Sequence, residues 1–259
     1  MRDFHSHSNY SDGELLWVMI RAAQEAGLDG VGIADHCWLA PDESARDYRA
    51  SLGFTMDETY ERRRRGIDLV REEADIPVYD AVEMDYEPGQ EGRIGAFLET
   101  AGFDYAVGSV HGVEGRNLQR PRQFEGMTDD ELDGVVDRYF ENLASLAASE
   151  LFDIAAHPDL VERNPLLSGR AEREHYERAA AAFADSRTVP EVNAGRALEE
   201  DGQVHPVSTF LETLREYDVS VTVGTDSHHP EEYGPRAEFL SEFAAERDLD
   251  PVAPPGLDP

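Results

Sequence analysis

The sequence predicts an α/β protein built on a mostly parallel sheet, with its chemistry at the carboxyl ends of the strands. Two observations carry this. Short runs rich in Val and Ile alternate with longer amphipathic stretches, and a His or carboxylate stands at the end of nearly every run. Strand–helix alternation implies parallel neighbours, and parallel α/β folds hold their sites where the strands end. The candidate strands are Arg2–His5, Gly30–Ala34, Pro77–Val82, Tyr105–Val110, Phe152–Ala156, Thr188–Val192 and Ser220–Val223. The candidate helices are Glu14–Ala26, Asp57–Glu73, Asp129–Ala148, Ala171–Ala184, Pro206–Tyr217 and Arg236–Glu246. Gly27 suits a C-terminal cap on the first helix, and Ser11-x-x-Glu14 reads as its capping box. Seven strand units in 259 residues suit one barrel better than a three-layer sandwich, and the pattern alone leaves both open.

No linker or internal repeat divides the chain, so residues 1–249 read as one domain. Asp250–Pro259 is proline-rich and reads as a flexible tail. Gly112–Gly126 reads as a long polar loop, a class that is often functional.

Asp and Glu number 55 against 23 Lys and Arg, for a net charge of -32. Self-repulsion at that density destabilises a compact state at low ionic strength. The acidity is spread along the whole chain, as a halophilic protein in a salt-rich cytoplasm would have it. It argues against nucleic acid or an anionic membrane as a bulk partner, since both need basic surface. A small anionic substrate remains compatible, because a metal cluster reverses the sign locally. Cys37 is the single cysteine, so the chain forms no internal disulfide, which fits a reducing compartment. No signal peptide and no apolar run near the roughly 20 residues of a membrane span is apparent, which predicts a cytoplasmic protein.

The nine histidines are the informative feature. In an extended strand, residues two apart point the same way, so His5 and His7 can present two imidazoles to one ion. Asp12 follows, either turned inward or placing charge at the first helix. His36 follows the second run. Glu83 ends the third, where a buried carboxylate needs a partner or a cation. His111 and His157 end the fourth and fifth, and Asp226 and His228 the seventh. If the strands close, these side chains converge on one mouth. Imidazole and carboxylate ligands suit Zn, Mn or Fe, and nine are enough for two or three ions.

With these motifs in view, nearly the whole chain resembles the PHP (polymerase and histidinol phosphatase) family. The matching segments are His5-Ser6-His7 with Ser11-Asp12-Gly13, Asp35-His36, Glu83-Met84-Asp85-Tyr86, Ser109-Val110-His111, His157-Pro158-Asp159-Leu160 and Asp226-Ser227-His228. The resemblance implies a distorted (β/α)7 barrel with a trinuclear metal centre. It implies one ion on His5, His7, Glu83 and Asp226. A second would share Glu83 and take His111 and His157, and a third would take Asp12, His36 and His228. Within the family the chain is most similar to the histidinol-phosphate phosphatases, through Glu83–Gly89, His157–Val161 and Glu191–Gly195. The implied activity is hydrolysis of L-histidinol phosphate in histidine biosynthesis. The implied nucleophile is a metal-bridging hydroxide held by Glu83, His111, His157 and Asp226. Three divalent ions against three carboxylates leave the centre near about +3, which would attract a phosphate dianion. The alternatives are a PHP phosphoesterase acting on nucleotides or other small monoesters, and a metal-binding accessory domain without turnover. Two stretches depart from the family pattern where substrate choice would be made. Gly112 stands in place of an aromatic residue, and Arg196–Asp201 in place of a basic stretch.

Arg163 and Arg196 follow strand-end motifs and are candidates for phosphate contacts. His205 is a further candidate, facing substrate or donating a proton. His229 is expected to support His228, and His175 to be solvated. Asp85 and Tyr86 are expected to orient ligands, with Asp35 and Asp159 doing likewise or capping turns. Cys37, Trp17 and Met19 read as buried packing residues.

Overall fold

The computed structural model describes residues 1–39, 43–53, 55–200 and 202–257. In chain order the elements are β1 (Arg2–Ser6), α1 (Leu16–Glu25), β2 (Gly30–Cys37), α2 (Glu43–Leu52), α3 (Met56–Arg71), β3 (Val78–Asp85), α4 (Glu91–Ala101) and β4 (Tyr105–Ser109). There follow β5 (Gly112–Val113), β6 (Arg116–Asn117), α5 (Asp129–Ala148), β7 (Ile154–Ala155), α6 (Arg173–Ala184), β8 (Val189–Arg196), β9 (Gln203–His205), α7 (Ser208–Glu216), β10 (Thr222–Gly224) and α8 (Tyr233–Glu246). The main sheet runs β1-β2-β3-β4-β7-β8-β10, with every neighbouring pair parallel. Its first and last strands meet. Asp226 N donates to His5 O at 2.7 Å and His7 N to Ser227 O at 2.9 Å. The seven strands therefore close into the distorted barrel that the family resemblance implies, an outcome the apolar pattern alone left open. The distortion has local sources: a register shift between Asp3 and Ser6, another between Asn193 and Arg196, and β9 lying antiparallel on β8.

Both faces of the sheet are covered, which is why its strands are continuous apolar runs without alternation. Inside the barrel lie Phe4, Ala34, Ala81, Tyr105, Val107, Ile154 and Ala156. Outside, Leu132, Val136, Tyr139, Phe140, Leu143 and Leu146 of α5 recur three and four residues apart and face the main core. Each such side chain, fully buried, contributes about 1.5–3 kcal/mol. Thr128 and Glu131 form a capping box that starts this helix at the predicted residue.

Several expectations are corrected. The tail does not hang free over its described part: Val252 N donates to Val221 O at 2.9 Å, and Ala253 and Leu257 pack on the barrel interior. Apolar side chains at the amino end of the barrel need cover, and the tail supplies it; Asp258 and Pro259 lie outside the described residues. The Gly112–Gly126 segment is an ordered excursion, with a β5–β6 hairpin and with Val113, Leu118 and Phe124 buried in the core. No capping box precedes α1; Ser11 Oγ bonds Asp35 instead, and Asn9 Oδ1 accepts from Leu16 N. Trp17 is 49% exposed, whereas Met19 is buried. Helices α2 and α4 were not among the sequence expectations.

Candidate metal centre

Each strand hands its last residues to one basin. β1 continues into His5-Ser6-His7, and both imidazoles are fully buried with their Nε2 atoms 3.2 Å apart. Glu83 stands in the middle. Its Oε2 lies 2.6 Å from His36 Nδ1, 3.5 Å from His5 Nε2 and 3.7 Å from His7 Nε2. Its Oε1 lies 3.2 Å from His157 Nε2 and 3.4 Å from His111 Nε2. Asp226 Oδ1 is 3.3 Å from His7 Nε2 and 3.9 Å from His5 Nε2. Asp12 is 3.3 Å from His228 Nε2 and 3.6 Å from His36 Nε2. All nine sequence-predicted residues are thus brought together. Among the described residues, three sets have potential ligand atoms within 4.8 Å of one another: His7, Asp12, His36 and His228; His5, His7 and Glu83; and His36, Glu83 and His111.

The chemistry of this set fits a cation. His5 Nδ1 is held at 2.8 Å by the Glu191 carboxylate, which can only accept, so the proton belongs on Nδ1. His111 Nδ1 meets Asp85 at 2.5 Å, and His228 Nδ1 meets the Asp226 carbonyl at 2.9 Å. In each ring Nδ1 is committed outward and Nε2 is turned to the centre. Lone pairs then face carboxylate oxygens at under 4 Å. Acceptors do not converge like this unless protons or metal ions lie between them. Outward partners of this kind also fix ring orientation in metal sites.

With protons as the only cations, the rings take up charge. Burial opposes charge on His5, but Glu191, Glu83 and Asp226 outweigh it and hold its pKa well above the usual range. Burial likewise opposes charge on His36, and Glu83 and Asp12 push it up to about 10. His111 and His228 are raised too, against burial, by Asp85 with Glu83 and by Asp12 with Asp226. Burial, with neighbouring cations, pushes His7 and His157 down to about 4. Metal ions compete with the bound protons, so loading should release protons and affinity should rise with pH. Calorimetric titration of Mn or Zn at pH 7, in buffers of different ionisation enthalpy, should show more than one proton leaving per chain. Loading without proton release would contradict this charge assignment.

Two candidate ligands sit on strained backbone: φ is +30° at His157 and +51° at Asp226. Left-handed conformations at non-glycine residues cost on the order of 1–3 kcal/mol and persist where surroundings over-determine them. Here both residues are locked from behind. Glu191 Oε2 accepts from His157 N at 3.0 Å, and Arg236 donates to the Asp226 carbonyl at 2.8 Å.

Support comes from further buried polar residues, among which the sequence reading gave a supporting role to Asp35 but not to Glu191 or Arg63. Glu191, fully buried, ties His5, His157 and Asn193 together. Gly224 makes room for it: a Cβ there would stand 1.8 Å from Glu191 Oε1. Asp35 accepts from Ser8 N, Ser8 Oγ and Ser11 Oγ, fastening the loop that carries Asp12. Arg63, itself fully buried, holds Asp35 and Asp80.

The other candidates divide. Arg163 reaches the centre, with Nη2 3.5 Å from Asp226 Oδ2. Arg196 stays at the rim, 40% exposed and 4.0 Å from Glu199. Both arginines line one cavity of about 700 Å³. His205 does not face a substrate space: it is fully buried between Asp159 and Arg163, and both ring nitrogens are engaged. His175 is not solvated, because Asp137 and Glu172 N hold its ring in the α5–α6 packing. His229 is more than half exposed, with its ring near Glu14, and does not support His228. Asp85 orients His111 as expected, whereas Tyr86 bonds Glu91. Cys37 is buried in the apolar core.

Residues 3–195 match the model of the PHP domain. A relative from Deinococcus radiodurans, named a probable histidinol-phosphatase, is 24% identical over 223 residues, covering 83% of this chain and 80% of the relative. The fold also matches the crystal structure of histidinol phosphate phosphatase from Lactococcus lactis subsp. lactis, complexed with Zn, L-histidinol and phosphate. That match has a TM-score of 0.74 at 18% identity, covering 98% of this chain and 95% of the other. The chain belongs to the PHP domain family. Its named relatives within that family are histidinol phosphatases.

Proposed function

We propose that this protein hydrolyses L-histidinol phosphate to L-histidinol and inorganic phosphate, as a step of histidine biosynthesis in the cytoplasm. It is a phosphoric monoester hydrolase, as its family and relatives indicate. The observation that carries the reading is the convergence of six imidazoles and three carboxylates beside Arg163, whose side chain is 7% exposed.

The ligand assignment we favour gives one ion His5, His7, Glu83 and Asp226, a second Glu83, His111 and His157, and a third Asp12, His36 and His228. Bound Zn, Mn or Fe would neutralise phosphoryl charge and supply an acidified water. The chain's own groups do the rest. Glu191 and Asp85 hold imidazoles in one tautomer, so no reorientation is needed when charge develops. Arg163 brings a permanent positive charge to the edge of the basin. The cavity beside Arg163 and Arg196 offers space for the organic part of the ester. In a chain of net charge -32, the centre and these arginines are what draws an anion inward.

The test is phosphate release with Mn or Zn supplied, comparing histidinol phosphate, nucleoside monophosphates and a generic aryl phosphate. Histidinol phosphate should lead in kcat/KM. Preference for nucleotides would move the assignment to the broader phosphoesterase reading, and no turnover on any ester would leave only a binding role. His157→Ala removes one ligand and leaves the other eight in place. It should lower kcat about 100-fold with the fold intact, as loss of one electrostatic group in an active site typically does. Wild-type turnover in that variant would contradict the ligand assignment.

A further inference from the structure

Asp159 and His205 are both fully buried, yet neither belongs to the ligand set. Asp159 opens the turn after β7, and His205 ends β9. Asp159 Oδ1 lies 2.5 Å from His205 Nδ1, while Oδ2 accepts from Val207 N at 2.7 Å. His205 Nε2 lies 2.9 Å from Arg163 Nε. A guanidinium N–H can only donate. His205 Nε2 therefore accepts, and the ring carries its proton on Nδ1, where Asp159 takes it. The result is a one-way chain of donors from Arg163 through His205 to Asp159. At its far end Arg163 Nη2 donates to Asn193 Oδ1 at 3.1 Å, beside Asp226.

We propose that Asp159 and His205 are a positioning pair that aims Arg163 at the phosphoryl group while keeping its charge available, an inference that rests on the phosphatase reading. A carboxylate on Arg163 Nε would orient it equally well but would neutralise it. A neutral imidazole fixes the angle of the guanidinium without adding a second carboxylate to Asp226, the one it already meets. Asp159, one bond further out, sets the tautomer that makes this possible. With Nε and Nη2 anchored, the remaining N–H groups are the ones left for phosphoryl oxygens.

The experiment uses metal-loaded enzyme and two readouts, binding of inorganic phosphate by calorimetry and steady-state kinetics on the best ester. His205→Phe removes the acceptor and should weaken phosphate binding and raise KM about tenfold or more, as loss of a hydrogen bond to a charged group does. Metal content by elemental analysis should stay at the wild-type level. His205→Gln, whose amide can accept from Arg163 and donate to Asp159, should stay within about threefold of wild type. In an Arg163→Met background, His205→Phe should add nothing further. If His205→Phe fails to fold by circular dichroism, Asp159→Asn replaces it and should weaken phosphate binding in the same direction. Unchanged phosphate affinity, equal losses in the Gln and Phe variants, or a full effect without Arg163 would overturn the pair. A wild type that binds phosphate but hydrolyses no ester would instead overturn the phosphatase reading, with the binding comparison still deciding the pair.

Discussion

Glu83→Gln should strip the centre of metal and lower turnover by about a thousandfold or more. Five imidazoles stand within 3.7 Å of this one carboxylate, three on Oε2 and two on Oε1. In the ligand assignment above, Glu83 is the one residue shared between two ions, and it also meets His36 of the third set. Gln keeps the volume but removes the charge and puts an NH2 donor where lone pairs must converge. Metal ions contribute several kcal/mol of transition-state stabilisation, and each 1.36 kcal/mol is tenfold in rate, so a thousandfold loss is about 4 kcal/mol. Elemental analysis after gel filtration should show the loss of metal, and phosphate release with excess Mn the loss of rate. A variant with full metal content and near-normal rate would refute the central place given to Glu83.

Raising KCl from about 0.1 M to about 1 M should raise the melting temperature by on the order of 10 °C. The Debye length falls from about 10 Å to about 3 Å over that range. All 23 cationic side chains are arginines, there is no lysine, and 55 carboxylates face them. Salt also screens the attractive pairs, but exposed ones such as Arg21–Glu25 and Arg173–Glu177 are worth only about 0–1 kcal/mol each. The unbalanced repulsion therefore dominates, and several kcal/mol of relief corresponds to a shift of that order in a domain of this size. Scanning calorimetry should show the rise with KCl and not with an uncharged osmolyte at matched osmolality. A melting temperature that fell or stayed flat would remove the halophilic reading.

The sequence located all seven strands of the barrel but cut several short at their carboxyl ends. β2 runs on through Asp35, His36 and Cys37, β3 to Asp85 and β8 to Arg196. The apolar pattern stops where the functional layer begins, so polar residues that look like loop are strand residues turned into the basin. The missed helices have physical reasons as well. α4 contains Gly92 and Gly95, which weaken helical propensity, and α2 is mostly polar, with Arg49 buried against Trp38 and Asp57.

The convergence of all nine candidate residues on one basin was legible, because type and position repeated at strand after strand. Their supports were legible only in part: Asp85 on His111 and Asp35 on the Asp12 loop were anticipated, and others were not. Arg63, Asp159 and His205 find their partners dozens of residues away. Glu191 was within reach: the argument applied to Glu83, that a carboxylate inside an apolar strand needs a partner, holds equally for Pro190-Glu191-Val192. Ser11 shows the reverse error. Its local signal favoured a helix cap, and Asp35, 24 residues away, claimed its hydroxyl.

The seam where β10 meets β1 has a consequence for the chain as a polymer. It is stitched by Thr225 to Asp3, groups 222 residues apart, and immediately above it His5, His7, Asp226 and His228 share the basin. Ions held there would cross-link the two flanks of a loop of roughly 220 residues, as a disulfide would. Chain-entropy arguments put such a closure near about 5 kcal/mol. Chelation would then do more than silence the chemistry, because it would unfasten the barrel at its one seam.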